Sequence, residues 1–183
     1  MIPHPESVPS GDLPGGSKTG EESQGSAPVL LSGPPRKVVF DTNVLVSLYV
    51  FSDSRFAPLR EKVEGGEWLA LTSDACLEEF RRVLGYAMFA LTPERQRDAL
   101  CAYSRQARCV PAVANGVDCA DLPRCKDRDD QKFLELARDG AAVWLVTADK
   151  ALLKLARRER LRTLFHILTP EAALAEAGAC SID

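Results

Sequence analysis

From Lys37 onward, short apolar runs alternate with stretches in which apolar residues recur every three or four positions. KVVF (37–40), WLALT (68–72), AVWLV (142–146) and TLFHIL (163–168) are short, apolar and rich in β-branched and aromatic residues, so they read as strands. ARCVPAV (107–113) predicts one more short strand, followed by a polar loop over 114–128. The intervening stretches predict helices over 43–51, 56–64, 73–84, 129–138 and 150–160. Two further helices open at Thr92-Pro93-Glu94 and Thr169-Pro170-Glu171. Ser73 and the two threonines are natural N-caps, because a hydroxyl can accept from a free first-turn amide, and proline fits the first turn. Strands alternating with helices predict an α/β fold, a three-layer arrangement in which a twisted parallel sheet of four to five strands is covered by helices on both faces.

Composition separates residues 1–35 from the rest. They are rich in Pro, Gly and Ser and poor in apolar residues before Val29, so they are expected to be a disordered tail preceding a domain over 36–183. The net charge of −3 resides in that tail, where Glu6, Asp12, Glu21 and Glu22 face Lys18; the remainder is balanced. No apolar run approaches the ~18 residues of a membrane helix. The N-terminus lacks the basic-then-apolar order of an export signal, so a cytoplasmic protein without membrane association is expected. Six cysteines form no CxxC pair, and the only histidines are His4 and His166. That composition argues against a zinc site and for reduced thiols.

The acids carry the chemistry. In an open parallel sheet the reactive crevice lies beyond the carboxyl ends of the strands. Asp41 directly follows VVF, and Asp149 follows WLVTA. Burying an unpaired carboxylate is costly, so each must be solvated, cap the next helix or hold a cation. The helix opened by Ser73 offers Glu78 and Glu79. At about 100° per residue, Glu79 lies roughly 40° outside the apolar arc, and Glu78 about 100° from its nearer edge. Glu78 also precedes Arg82 by four positions, the spacing of an exposed pair. Glu79 is the inward candidate. In CKDRDDQKFLELA (125–137), Asp130 falls between Phe133, Leu134 and Ala137 on the apolar face. Asp129 lies at the edge of that face and Asp127 is placed to cap the helix; both are auxiliary candidates.

If Asp41, Glu79, Asp130 and Asp149 meet, each pair ~4 Å apart costs about 4 kcal/mol at an effective dielectric of about 20. Such a cluster must take up protons or bind a hard cation, and all-oxygen donors favour Mg²⁺ or Mn²⁺. Ions held in this way orient and activate water against a phosphodiester.

VVFDTNVLVS (38–47), SDACLEEFRRVL (73–84), CKDRDDQKFLELA (125–137) and WLVTADKALLKL (144–155) together resemble the PIN-domain nuclease family. The likeness is strongest to bacterial toxin components of toxin–antitoxin systems and spans nearly all of residues 37–178. It implies a PIN-like fold and a Mg²⁺- or Mn²⁺-dependent endoribonuclease. It also implies RNA as substrate and a cognate antitoxin as partner, and leaves a homodimer open. Asp41, Glu79, Asp130 and Asp149 match the four family carboxylates, which are both metal ligands and catalytic residues. Thr42, Asn43 and Thr147 match polar positions that support the cluster or its waters. Ala148 departs from the family's usual glycine before the last aspartate, without loss of a ligand.

KALLKLARRERLR (150–162) carries six basic residues and one acid. Lys154, Arg157, Arg158 and Arg162 could steer a phosphate backbone or simply solvate a helix face. Two rival readings remain open. One is a catalytically inactive RNA- or protein-binding module. The other is a phosphoaspartyl enzyme with Asp41 as nucleophile, although Asn43 stands where a dehalogenase-type motif wants a second aspartate.

Overall fold

A computed structural model describes residues 33–111 and 122–179. Apart from residues 33–35, the expected tail lies outside the described residues, as do positions 112–121 of the expected strand and loop. The elements run β1 (Arg36–Phe40), α1 (Thr42–Tyr49), α2 (Ala57–Glu64), β2 (Trp68–Thr72), α3 (Asp74–Leu84), α4 (Pro93–Gln106) and β3 (Ala107–Cys109). They continue with α5 (Gln131–Asp139), β4 (Trp144–Val146), α6 (Lys150–Leu155), α7 (Glu159–Arg162), β5 (His166–Leu168) and α8 (Pro170–Ala179). A 3₁₀ turn over Ala87–Phe89, not foreseen in the sequence, links α3 to α4.

The five strands form one sheet in the order β3-β2-β1-β4-β5, with every neighbouring pair parallel. This is the expected α/β fold. Side chains alternate across it with the period of two that a pleated strand imposes. Val38, Phe40, Ala70, Trp144 and Val146 pack into one core with residues of α1, α2, α3, α4 and α8. Val39, Leu71, Leu145 and Ile167 face the other core, against α5, α6 and α7. Both faces are therefore covered, which is why the strands read as continuous apolar runs. The expected caps form: Ser73 Oγ accepts from the amide of Cys76 at 3.3 Å, Thr92 Oγ1 from Arg95 at 3.3 Å and Thr169 Oγ1 from Ala172 at 3.2 Å.

The helix expected over 150–160 is broken into α6 and α7. Leu152 and Leu161 are both buried in the same core. Nine residues apart, they would point about 180° from each other on one straight helix. Extended backbone at Arg158 restarts the chain and turns Leu161 and Phe165 inward. The last strand is correspondingly shorter than TLFHIL, because 163–165 complete this turn.

Helix α5 ends one residue early for its glycine. Gly140 caps it with ordinary helical backbone, and the left-handed position falls to Ala141, at φ 49°. Gly140 is held there by space: a Cβ would lie 2.5 Å from Leu71 Cδ1 and 3.1 Å from the Leu136 carbonyl. Gly140→Ala is expected to destabilise by about 1–3 kcal/mol through overpacking. Ala141→Gly should stabilise by up to about 1 kcal/mol through relief of the left-handed strain. Urea unfolding of the two variants checks both signs; a neutral Gly140→Ala would contradict the packing account.

Candidate functional site

From β1 the chain lays β2 and β3 on one side, then crosses to place β4 and β5 on the other. The reversal puts a crevice between the carboxyl ends of β1 and β4. Asp41 and Asp149 lie at its two sides. The Asp41 amide donates to the Val146 carbonyl at 3.1 Å, prolonging the ladder by one bond. Its side chain caps α1, with Oδ1 accepting from the Val44 amide at 2.9 Å. Oδ2 accepts from the hydroxyl of Thr147. Thr147 is wholly buried, and its Oγ1 in turn accepts from the amide of Asp149 at 2.9 Å. Asp149 caps α6 through Oδ1, which accepts from Ala151 at 2.6 Å and Leu152 at 3.0 Å. Both aspartates are thus helix caps as well as members of a cluster.

Glu79 reaches the cluster from α3. Its Oε1 accepts from the Thr42 hydroxyl at 2.8 Å, which ties α3 to the first residue of α1. Its Oε2 is buried, meets no hydroxyl or backbone donor, and faces the ammonium of Lys132. Glu78 points the other way: it is exposed and pairs with Arg81 at 2.5 Å, three residues on, rather than with Arg82. Asp130 precedes α5, half-buried and making no cap bond. Asp127 and Asp129 are exposed; Asp127 Oδ1 accepts from the Asp129 amide at 2.9 Å in a tight turn instead of capping the helix. Asn43 is exposed at the rim. Lys154, Arg157, Arg158 and Arg162 are exposed on or beside α6 and α7.

The charges register one another. Burial pushes the Asp130 carboxyl up from 3.8 to about 6, with Asp127, Asp149, Asp41 and Glu79 adding repulsion in that order. Burial also raises Asp41; the bonds from Thr147 and from the amides of Val44 and Asn43 oppose this, and Asp149 adds to it. Lys132, on α5, brings a positive charge against Glu79 and also donates to the Asp129 carbonyl. Sequence reasoning passed over it, because the pairing depends on α3 meeting α5. Its one sequence signal is a position two residues after Asp130.

Among the described residues, no three Asp, Glu, His or Cys side chains are gathered closely enough to close on one ion. The donor chemistry nonetheless fits a hard divalent cation. The four inward groups are all carboxylates, they repel one another, and Glu79 Oε2 is a buried acceptor lacking a neutral donor.

Residues 37–151 match the family model described as PIN domain. The chain belongs to the PIN domain family. Membership supports a nuclease function in general. No curated protein matches it significantly. Among solved structures it is similar to VapBC2 from Rickettsia felis, described as bound to a DNA fragment from their promoter. There the identity is 14%, 73% of this chain and 98% of that chain are covered, and the TM-score is 0.50. PAE2754 from Pyrobaculum aerophilum is similar at 16% identity over 79% of this chain and 90% of that one, with a TM-score of 0.49. The PIN domain endonuclease Utp24 is similar at 21% identity over 75% and 86%, with a TM-score of 0.45. At these identities the likeness to VapBC2 speaks for the fold alone. Among the described residues of this PIN domain, no helix is long and apolar enough to cross a membrane.

The burial of Asp130, with the repulsion from its acidic neighbours, has a pH signature. Asp130 ionises at about 6 in the fold against 3.8 ordinarily, so between those values the native state holds the extra proton. Stability from this group is therefore present at low pH and lost as pH rises through about 6. In metal-free buffer, Asp130→Asn should flatten the fall in melting temperature between about pH 4 and 7, with Asp41 keeping part of it. Superimposable pH profiles for parent and variant would contradict the assignment.

Proposed function

We propose that this PIN domain is a metal-dependent endoribonuclease that hydrolyses RNA phosphodiester bonds, acting as the toxin of a toxin–antitoxin pair. The observation that supports the reading is the electrostatic coupling of Asp130 to Asp149, Asp41 and Glu79 beside the carboxyl ends of β1 and β4. In this reading the four carboxylates hold Mg²⁺ or Mn²⁺. A divalent cation bound there supplies positive charge for the phosphate oxygens and a more acidic water for attack on phosphorus.

The chain's own residues have separable tasks. Thr147 orients Asp41 and anchors the Asp149 amide, so the two aspartates keep a fixed spacing. Thr42 orients Glu79, and Asn43, exposed at the rim, is available to a substrate or its waters. Asp130 carries a proton up to about pH 6 and would release it when a cation is taken up. Lys132 balances Glu79 until then. Asp127 reinforces the negative field, and Asp129 is an auxiliary ligand at the edge. The nuclease domain is taken as 36–183, with 1–35 as a dispensable tail.

The toxin assignment draws on the motif resemblance and, as fold alone, on the likeness to VapBC2. It implies an antitoxin partner, with a homodimer as the assembly that would present it, and action in the cytoplasm. The second reading, an inactive RNA- or protein-binding module, has one observation in its favour. Asp41, Glu79 and Asp149 each have an internal partner.

Cleavage of a labelled single-stranded RNA with Mg²⁺ or Mn²⁺ separates the two. Asp41→Asn, Asp149→Asn and Glu79→Gln are each expected to lose about 100-fold or more, the scale of removing a group that stabilises transition-state charge. Glu78→Gln should cleave like the parent. A parent inactive with either ion, or equal losses in Glu78→Gln and Glu79→Gln at equal stability, would favour the inactive module.

A further inference from the structure

We infer that the phosphate backbone of single-stranded RNA is held in a basic groove formed by residues 122–131 and the start of α7. The inference rests on the ribonuclease reading and adds a binding surface to it. Two clefts, of about 560 and 780 Å³, meet at Leu122. Arg158 and Arg160 line the first; Arg124, Lys126 and Arg128 line the second. Among the described residues, Glu159 and Glu135 are the carboxylates in their walls. Among the described residues none of those five cations is held in an ion pair, whereas Arg138, which also lines the second cleft, is paired with Asp139 at 2.6 Å. Five cations without an ion pair among the described residues, along two adjoining clefts, form a field that a polyanion relieves, and arginine in particular presents a fork of donors suited to phosphate.

The segment holding three of them is built, not loose. Cys125 is buried in the core beneath, and its amide donates to Gln131 Oε1 at 2.8 Å, tying the loop to α5. The segment RCKDRDD alternates in sign along the chain, yet the fold sorts the charges. Asp127 acts on Asp130 and through it on the acidic cluster, and it lines neither cleft. Arg124, Lys126 and Arg128 line the cleft instead. A strand lying in the groove would therefore run along the cationic side of a loop whose acidic side belongs to the proposed catalytic cluster. Among the described residues neither cleft is lined by an aromatic side chain, so the proposed contacts are to phosphate and carry little base preference. Lys154, Arg157 and Arg162, which the sequence grouped with Arg158, line neither cleft.

The test is binding of a fluorescein-labelled single-stranded RNA in EDTA, read by anisotropy across salt concentrations. Each lost phosphate contact should flatten the slope of log K against log salt by about 0.7, so Arg124→Gln with Lys126→Gln and Arg128→Gln should flatten it by about 2. Affinity at low salt should fall by about tenfold or more. The melting temperature should stay at the parent value, because all three side chains are exposed. Lys154→Gln with Arg157→Gln should keep the parent slope. Parent-like affinity and slope in the triple variant, while the parent binds and cleaves RNA, overturns the groove and leaves the nuclease reading intact. Equal flattening in the Lys154 and Arg157 pair also overturns it, since the field would then be diffuse. Unchanged RNA binding with lost binding of poly-glutamate would make the groove a protein-docking surface. A parent that neither binds nor cleaves RNA overturns both readings.

Discussion

The hydroxyl of Thr147 donates to Asp41 and accepts from the amide of Asp149, so one buried group fixes the ends of β1 and β4 against each other. The Thr147 amide reaches the Leu168 carbonyl at 2.9 Å and brings the end of β5 into the same arrangement. A hydroxyl suits the place, because a single oxygen atom both donates to the carboxylate and accepts from the amide. The spacing of the crevice, the entry of α1 and the entry of α6 all follow from it. Each aspartate then spends one oxygen on capping its helix and keeps it aligned with the sheet.

That alignment carries an electrostatic cost. Parallel strands deliver the residues that follow them to one edge, and here β1 and β4 bring Asp41 and Asp149 there. The fold reduces the repulsion in three ways: it leaves a proton on Asp130 to about pH 6, it feeds hydroxyls and amides to Asp41 and Glu79, and it brings the Lys132 ammonium against Glu79. All three answers are reversible. In the proposed reading a bound divalent cation would displace the Asp130 proton and compete with the Lys132 ammonium for Glu79.

How much of this could be read from the sequence depends on how local the cause was. Strand-end aspartates are visible because a carboxylate after an apolar run needs a reason, and the parallel topology supplies the place. The inward turn of Glu79 followed from helix geometry on α3, since its neighbours Phe80 and Leu84 had to be buried. The break between α6 and α7 was legible in principle, from two leucines nine residues apart that cannot share a core on one helix. Lys132 was not, because nothing local sets which element α5 packs beside. The basic loop was hidden by its own alternation: RCKDRDD reads as neutral until the fold assigns its cations to the cleft and Asp127 to the acidic side. Residues 112–121 and the expected tail up to position 32 lie outside the described residues.

The central claim is that the four carboxylates answer to a hard divalent cation. Titrating Mn²⁺ into the metal-free protein near pH 7, by calorimetry with parallel thermal melts, tests it most directly. The account predicts saturable binding and a melting temperature that climbs with ion concentration, by about 2.7 kcal/mol of stabilisation at 100 times the dissociation constant. Protons should be released when the titration is repeated near pH 6, where Asp130 still holds one. No saturable heat and an unmoved melting temperature at millimolar Mn²⁺ would contradict it.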